Sequence, residues 1–371
     1  MAEPTTFDAA VVGAGLVGSA IALGLTRAGQ RVVLLDEGED RWHASGGNFG
    51  LVWVQGKGAT AWPYAAWTRA SADAWPELAT SLHEVAGLDV AYAKTGGLSL
   101  CIDEAGLEKR ATLIKRMHNH PAPGANGAEI LDAATVHRLV PSLGPQVVGA
   151  SFCRHDGHAN PLLLLRALQA ALAREGGSIR RGVRVETIDA RDGFRLSGPA
   201  GTVAAARLVL AAGLGNARLA PLVGLEAPVR PQRGQILVTQ RLSELCSYAC
   251  HRFRQTADGT VMLGDTQEEV GLDTGTTQAA ARDLAAYAAA CFPALGEARV
   301  VRQWAALRVL SPDGLPIYAQ SASHPGAFVA TCHSGVTLAA VHAGPLARAI
   351  ARGTLPAEVA SFSPDRFRAA A

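Results

Sequence analysis

The clearest chemical signature in this chain is Gly13-Ala14-Gly15-Leu16-Val17-Gly18, with a carboxylate following at Asp36. A G-x-G-x-x-G turn that opens a helix presents free backbone N–H groups and a partial positive charge, the chemistry that binds phosphate. Gly13 would make the tight bend, Gly15 would admit a pyrophosphate to the backbone, and Gly18 would let the helix pack closely on the preceding strand. An acid about twenty residues on accepts hydrogen bonds from a ribose diol, and Asp36 stands at that place. The expected ligand is a dinucleotide.

The elements that must position these residues are legible around them. The apolar run 9–12 reads as a buried strand leading into the glycine turn. A helix is expected from Ser19 to Arg27, closed by Gly29, and a second apolar strand over 32–35 ends at Asp36-Glu37. Further on, helical periodicity covers 60–85, with Pro76 marking a break between two helices. A strand pair is expected over 90–100 around Gly96-Gly97, and helices over 106–118 and 134–140. Pro161 opens a long helix over 162–175. Alternation over 178–188 and the apolar run 203–212 resume an α/β pattern. From Arg230 the composition turns to strands, 234–239, 248–254, 260–264 and 300–310, interrupted by an Ala-rich helix over 277–291. A strand over 327–331 and a helix over 336–350 complete the series.

Composition narrows the function classes. The 371 residues carry a formal charge of +2 and no basic cluster, which argues against nucleic acid. No apolar run approaches the ~20 residues that span a bilayer. The first strand begins so near Met1 that no signal peptide is expected, and a cytoplasmic location follows. The six cysteines, Cys101, Cys153, Cys246, Cys250, Cys291 and Cys332, form no C-x-x-C pair and read as reduced, buried thiols, with Cys332 alone a candidate to line a site. No metal site is expected, and His118 and His120 read as a solvated turn.

Five blocks together resemble the family of FAD enzymes that includes D-amino-acid oxidase, glycine oxidase and sarcosine oxidase. They are the glycine turn with Asp36, Ser45-x-x-Asn48-x-Gly50, Val185, Ala211-Ala212-Gly213, and Trp304…Leu307-Arg308…Ser311-Pro312-Asp313-Gly314 followed by Gly335 at a helix start. The resemblance covers essentially the whole chain. It implies an α/β fold, with a Rossmann-like FAD-binding domain from 1–85, 154–222 and 322–371. A substrate domain with a large mixed sheet would come from 86–153 and 223–321. It places non-covalent FAD against Gly13, Gly15, Leu16, Val17, Gly18, Asp36, Glu37, Ser45, Gly46, Asn48, Gly50, Val185, Ala212, Gly213, Gly335, Val336 and Thr337. The last helix would turn its N-terminus to the flavin, whose reduced form carries negative charge.

The chemistry implied is oxidation of an amine C–N bond by hydride transfer to flavin N5, giving an imine that water hydrolyses. Arg308 is the expected carboxylate anchor, because a guanidinium fork matches a carboxylate in bidentate fashion. His333 is placed to accept a proton from the amine or to touch the substrate. Tyr248, His251 and Trp304 fall on strands expected to line the pocket. Trp53, Gln55 and Lys57 follow the flavin loop and are candidates to reach the pocket from above, with a solvated position the leading reading for Lys57. Arg233 and Gln235 read as structural. The sarcosine oxidase-like relatives use a lysine to speed reaction with O₂, and Met262 is expected at that place. Three functions compete: an amine or amino-acid oxidase using O₂, the catalytic subunit of an opine- or hydroxyproline-type dehydrogenase passing electrons to a partner, and a redox-inactive FAD-bound scaffold. A homo-oligomer is compatible with each.

Overall fold

A computed structural model of the chain describes residues 6–38, 44–118 and 127–368. The turn at 39–43 and the loop with His120 lie outside the described residues.

The first sheet has eight described strands. Its parallel centre is Ala327–Thr331, Gly201–Leu210, Thr6–Val12, Val32–Asp36 and Ser178–Arg181, in that spatial order. Its central strands are apolar over 9–12, 32–35, 208–210 and 327–330 because both faces are covered there, while the edge strand Ser178–Arg181 is polar. Ala9, Val11, Val32 and Leu34 face helices Leu16–Arg27, Trp62–Ala86 and Pro161–Arg174. Ala10, Val12, Val33 and Leu35 share the other face with Leu208 and Leu210 of the same sheet and pack with Val185 and the turns around Leu219–Leu225. Ile317–Gln320, placed by sequence with the second unit, pairs antiparallel with Ala327–Thr331 at the edge of this sheet.

The second sheet also has eight described strands, in the order Val300–Leu310, Arg230–Thr239, Val261–Leu263, Phe253–Gln255, Ala249–Cys250, Gly97–Cys101, Gly149–Cys153 and Ala128–Asp132. It is mixed: Ala249–Cys250 runs parallel to Gly97–Cys101, and the other pairs are antiparallel. Helix Gln278–Cys291 packs on one face through Leu284 and Ala288, where Phe253 stacks on Phe292 at 4.4 Å. Thr277 caps this helix, its hydroxyl accepting from the Ala280 N–H.

Four local expectations are corrected. Pro76 does not break its helix, which runs unbroken as Trp62–Ala86. The carbonyl that the proline ring leaves without a donor, that of Ala72, accepts from Lys94 Nζ at 3.3 Å. Trp75 is fully buried, stacked on Tyr92, and its indole donates to the Val336 carbonyl at 3.1 Å, so tertiary contacts hold the helix across the proline. The last helix is interrupted: Ala339–Val341, a π-helical stretch His342–Leu346 around Pro345, then Ala347–Ala351. The 248–254 segment is a tight hairpin of two short strands. The strand at Ser178 stops at Arg181, so Val185 sits on irregular backbone.

Candidate active site

A cavity of about 700 Å³ lies at the carboxyl ends of the parallel strands. Gly13, Gly15, Leu16, Val17, Asp36, Glu37, Ser45, Asn48, Val185, Ala212, Gly213 and Gly335 all line it. The three motif glycines serve different ends. A Cβ on Gly18 would lie 1.8 Å from the Gly13 carbonyl oxygen, and one on Gly13 would lie 2.5 Å from that of Ala211. Both are required by the protein's own backbone. A Cβ on Gly15 would meet only the Ser45 side chain, at 2.8 Å, and would otherwise project where an occupant must pass. The helix behind it, Leu16–Arg27, has no acid in its first turn to neutralise its dipole. Asp36 Oδ2 accepts from the Ala14 N–H at 2.7 Å and Oδ1 from that of Gly38 at 3.0 Å. Each oxygen keeps acceptor capacity for a ribose hydroxyl. These walls fit a dinucleotide.

A second cavity of about 540 Å³ shares Ala44, Asn48, Leu307 and His333 with the first. Val336 and Thr337 line this second cavity rather than the first. Gly18, Gly46 and Gly50 line neither. Gly50 is structural: its φ is +94°, its N–H donates to Asn48 Oδ1 at 2.8 Å, and a Cβ would strike the Ala159 carbonyl at 2.3 Å.

Arg308 is inside the second cavity. Strand Val300–Leu310 lies beside Arg230–Thr239, and the guanidinium rests over Gly234, where a Cβ would lie 2.6 Å from it. Nη1 donates to the carbonyl of Thr266 at 2.6 Å, and Nη2 stands 3.6 Å from Asp265 Oδ1. Burial lowers its pKa and Asp265 opposes the shift; an arginine stays charged under both influences. His333 lies where the cavities meet. Burial, reinforced by Lys57 and Arg308, pushes its pKa down to about 3. The ring is open to the cavity, and a lowered pKa leaves it in the neutral form, so both expected roles, proton acceptor and substrate contact, rest on its place at the junction.

The remaining residues divide. His251 lines the second cavity, tilted against Trp53 at 5.7 Å, with Nε2 3.7 Å from Asp265 Oδ2. Tyr248 lines neither cavity; it packs edge-to-face on Phe152 at 5.8 Å because its hairpin turns it into the second core. Trp304 stands behind the wall, its indole donating to the Gly47 carbonyl at 3.4 Å. Arg233 and Gln235 are structural as expected, with Arg233 paired to Glu268 at 2.7 Å. Met262 is buried away from both cavities, its sulfur 2.7 Å from Arg254 Nη2. Its neighbours Arg252 and Arg254 line neither cavity.

Lys57 overturns its expected place in solvent. It lines the second cavity, donates to Ser334 Oγ and lies 5.8 Å from the Tyr64 ring centroid. Burial pushes its pKa down to about 8. Arg110, Asp265 and Gly234 also line this cavity and were not singled out by sequence. The available signal for Lys57 was its isolation, one of only four lysines in the chain, set in a glycine-flanked apolar stretch without a nearby acid.

A dinucleotide cavity sharing a wall with a second, cation-lined cavity is the arrangement of a cofactor-dependent oxidoreductase. The chain belongs to the DAO family of FAD dependent oxidoreductases, which it matches over residues 8–349. It is 41% identical to the B subunit of opine oxidase from Agrobacterium tumefaciens (strain Ach5) over 363 residues, covering 98% of each chain. It is also 41% identical to the corresponding opine oxidase polypeptide of Rhizobium meliloti over 326 residues, 88% of each. The crystal structure of glycine oxidase from Geobacillus kaustophilus matches its fold with a TM-score of 0.87 at 24% identity, over 96% of this chain and 98% of that one. The cofactor is FAD, as the sequence motifs imply, and the α/β fold with a mixed second sheet is the expected one. Among the described residues no helix is long and apolar enough to cross a membrane, and no group of three His, Cys, Asp or Glu gathers to hold a metal ion.

Proposed function

We propose that this chain oxidises the C–N bond of an N-substituted amino acid of the opine type, as the FAD-bearing subunit of an enzyme that passes electrons to a partner. The observation that carries the substrate half is Arg308, a cation held in the cavity that adjoins the dinucleotide site. The partner half is supported by the two opine oxidase relatives, each of which is named as one subunit of its enzyme. The first cavity, with Gly13, Gly15, Asp36, Ser45, Val185, Ala212 and Gly335 on its walls, holds the dinucleotide. Bound FAD supplies the acceptor for the hydride that leaves the substrate carbon. Arg308 grips the carboxylate beside that carbon and so fixes the carbon's position. Asp265 restrains the guanidinium, and neutral His333 adds no charge at the junction. Trp53 and Tyr64 displace water from the remaining volume.

The division into a dinucleotide unit (1–85, 154–222 and 322–371) and a substrate unit (86–153 and 223–321) is part of this reading, with Ile317–Gln320 moved to the former. The flavin is non-covalent, since no cysteine lies between Val300 and Pro312; acid precipitation should leave the yellow colour in the supernatant. The test is an anaerobic bleaching screen over opines, sarcosine, glycine, D-amino acids and D-proline derivatives. Bleaching by opines supports the reading, and bleaching by primary D-amino acids alone overturns it. Recoloration in air over seconds to minutes supports a partner acceptor; recoloration within milliseconds makes O₂ the acceptor instead.

A further inference from the structure

The second cavity is not electrically balanced by its own walls. Three cationic side chains line it, Lys57, Arg110 and Arg308, against the carboxylates Asp265 and Asp313. Asp313 is committed to Arg366 at 2.8 Å, and Asp265 stands between Arg308 and His251. Among the described residues neither Lys57 nor Arg110 has a carboxylate within 4.0 Å. Lys57 spends one proton on Ser334 Oγ. Arg110 donates to Ser151 Oγ at 2.6 Å and to Gln55 Oε1 at 2.5 Å, both neutral acceptors. The Lys57 and Arg110 side chains are half-buried, and the nearest carboxylate acting on both, Asp156, is not in direct contact with either, so a ligand that brings an anion to the cavity gains a direct ion pair.

The geometry points to Lys57, backed by Arg110, as a second anion-binding pole that takes a second carboxylate of the substrate, apart from the one held by Arg308. This rests on the proposed role of Arg308 for the first carboxylate. The two poles come from different parts of the fold. Arg308 projects from strand Val300–Leu310 of the second sheet, and Lys57 from the turn after Leu51–Val52, the short strand paired with Gly157–His158. Both act on His333, which lies where the cavities meet. The Lys57 turn is built for its place. Asp156 Oδ1 accepts from the Val54 N–H at 2.5 Å and that of Gln55 at 3.3 Å. Gly56 and Gly58 take φ values of +83° and +70°, and a Cβ on Gly58 would lie 2.4 Å from the Ala65 nitrogen. The ammonium is therefore held in position before a ligand arrives.

The groups that set the Lys57 charge are Asp156, Cys332, Tyr64, His251 and His333. Burial brings its pKa down to about 8, with Cys332 and Asp156 opposing the shift. A carboxylate bound at this pole favours the ammonium, so binding above pH 8 must take up a proton.

Calorimetric titration of the FAD-loaded protein tests this with ethers, which present an oxygen in place of the oxidisable nitrogen. The probes are diglycolate and its longer dicarboxylate homologues, with methoxyacetate as the single-carboxylate control. The best dicarboxylate should bind about tenfold to a hundredfold tighter than methoxyacetate. At pH 8.5 it should also take up protons, read from the dependence of the heat on buffer. Lys57→Met should remove both the preference and the uptake and leave methoxyacetate binding unchanged. Lys57→Arg should restore the preference without the uptake. Dicarboxylates that bind no tighter than methoxyacetate, or a preference that survives Lys57→Met, overturn the second pole. Methoxyacetate binding unchanged by Arg308→Lys overturns instead the anchor on which the proposed function rests.

Discussion

The two cavities share four residues and are built on different principles. The dinucleotide cavity includes three stretches in which backbone spacing is decisive: the glycine turn, the Ala211-Ala212-Gly213 strand end and the start of the last helix. The neighbouring cavity draws its charged and polar groups from widely separated segments, among them Lys57, Arg110, His251, Asp265 and Arg308. Backbone walls demand particular residues at fixed spacing, because only glycine fits where carbonyls approach within 2.5 Å. Side-chain walls demand only that suitable groups converge, which distant segments accomplish in many ways. On the proposed function, one cavity is tied to a shared cofactor, and the other is free to set the substrate.

Substitutions should separate the two. The largest effect is expected at Gly15→Val, which places a branched side chain where a pyrophosphate passes. The chain should fold, since only the Ser45 side chain is in the way, and emerge without flavin. Recovery with stoichiometric FAD contradicts the assignment. Next is Asp156→Asn, on the substrate side. Burial pushes the Asp156 carboxyl up to about 7 from an ordinary 3.8. Between these values the folded chain holds a proton that the unfolded chain has lost, so the stabilisation is present below the lower value and fades as pH rises through the upper. Wild type should thus lose stability relative to Asp156→Asn between pH 4 and 8, on the order of 2–4 kcal/mol. A pH-independent difference in denaturation midpoint contradicts it. Asp36→Ala should weaken FAD binding by about 1.5–3 kcal/mol, the cost of a charge-assisted hydrogen bond, and leave substrate specificity alone. The smallest change is expected at His333→Gln. Because the wild-type ring is neutral near pH 7, the acid limb of the bleaching rate should keep its midpoint; a displaced limb shows that His333 titrates in the reaction.

The same contrast explains what could be read from the chain before its structure. The unit from Thr6 to Asp36 was legible because its strand, turn, helix and acid are contiguous, and each is fixed by local rules. Arg308 was legible as a cavity-lining cation through its place in a motif-bearing strand. Pro76 misled because the donor that repairs its helix, Lys94, comes from the following loop. The last helix misled because Pro345 forces a π-helical turn that periodicity does not reveal. Lys57 was legible only as the weaker of two readings: a lone lysine between glycines resembles a surface turn, and it is half-buried in the cavity because Tyr64, Cys332 and Ser334 stand around it. Tyr248 failed in the opposite sense, since strand alternation does not survive a hairpin as tight as Cys250 opposite Phe253.

That the two cavities divide cofactor from substrate is tested most directly at Arg308, by measuring flavin content and kcat/KM for a carboxylate-bearing amine on the same preparations. Arg308→Lys should keep full FAD and lose most of its substrate affinity, because an ammonium cannot reproduce a two-pronged contact. Arg308→Ala should also keep its flavin and lose about 2–5 kcal/mol of transition-state binding. Flavin lost in step with activity, or wild-type kcat/KM in Arg308→Ala, contradicts the division.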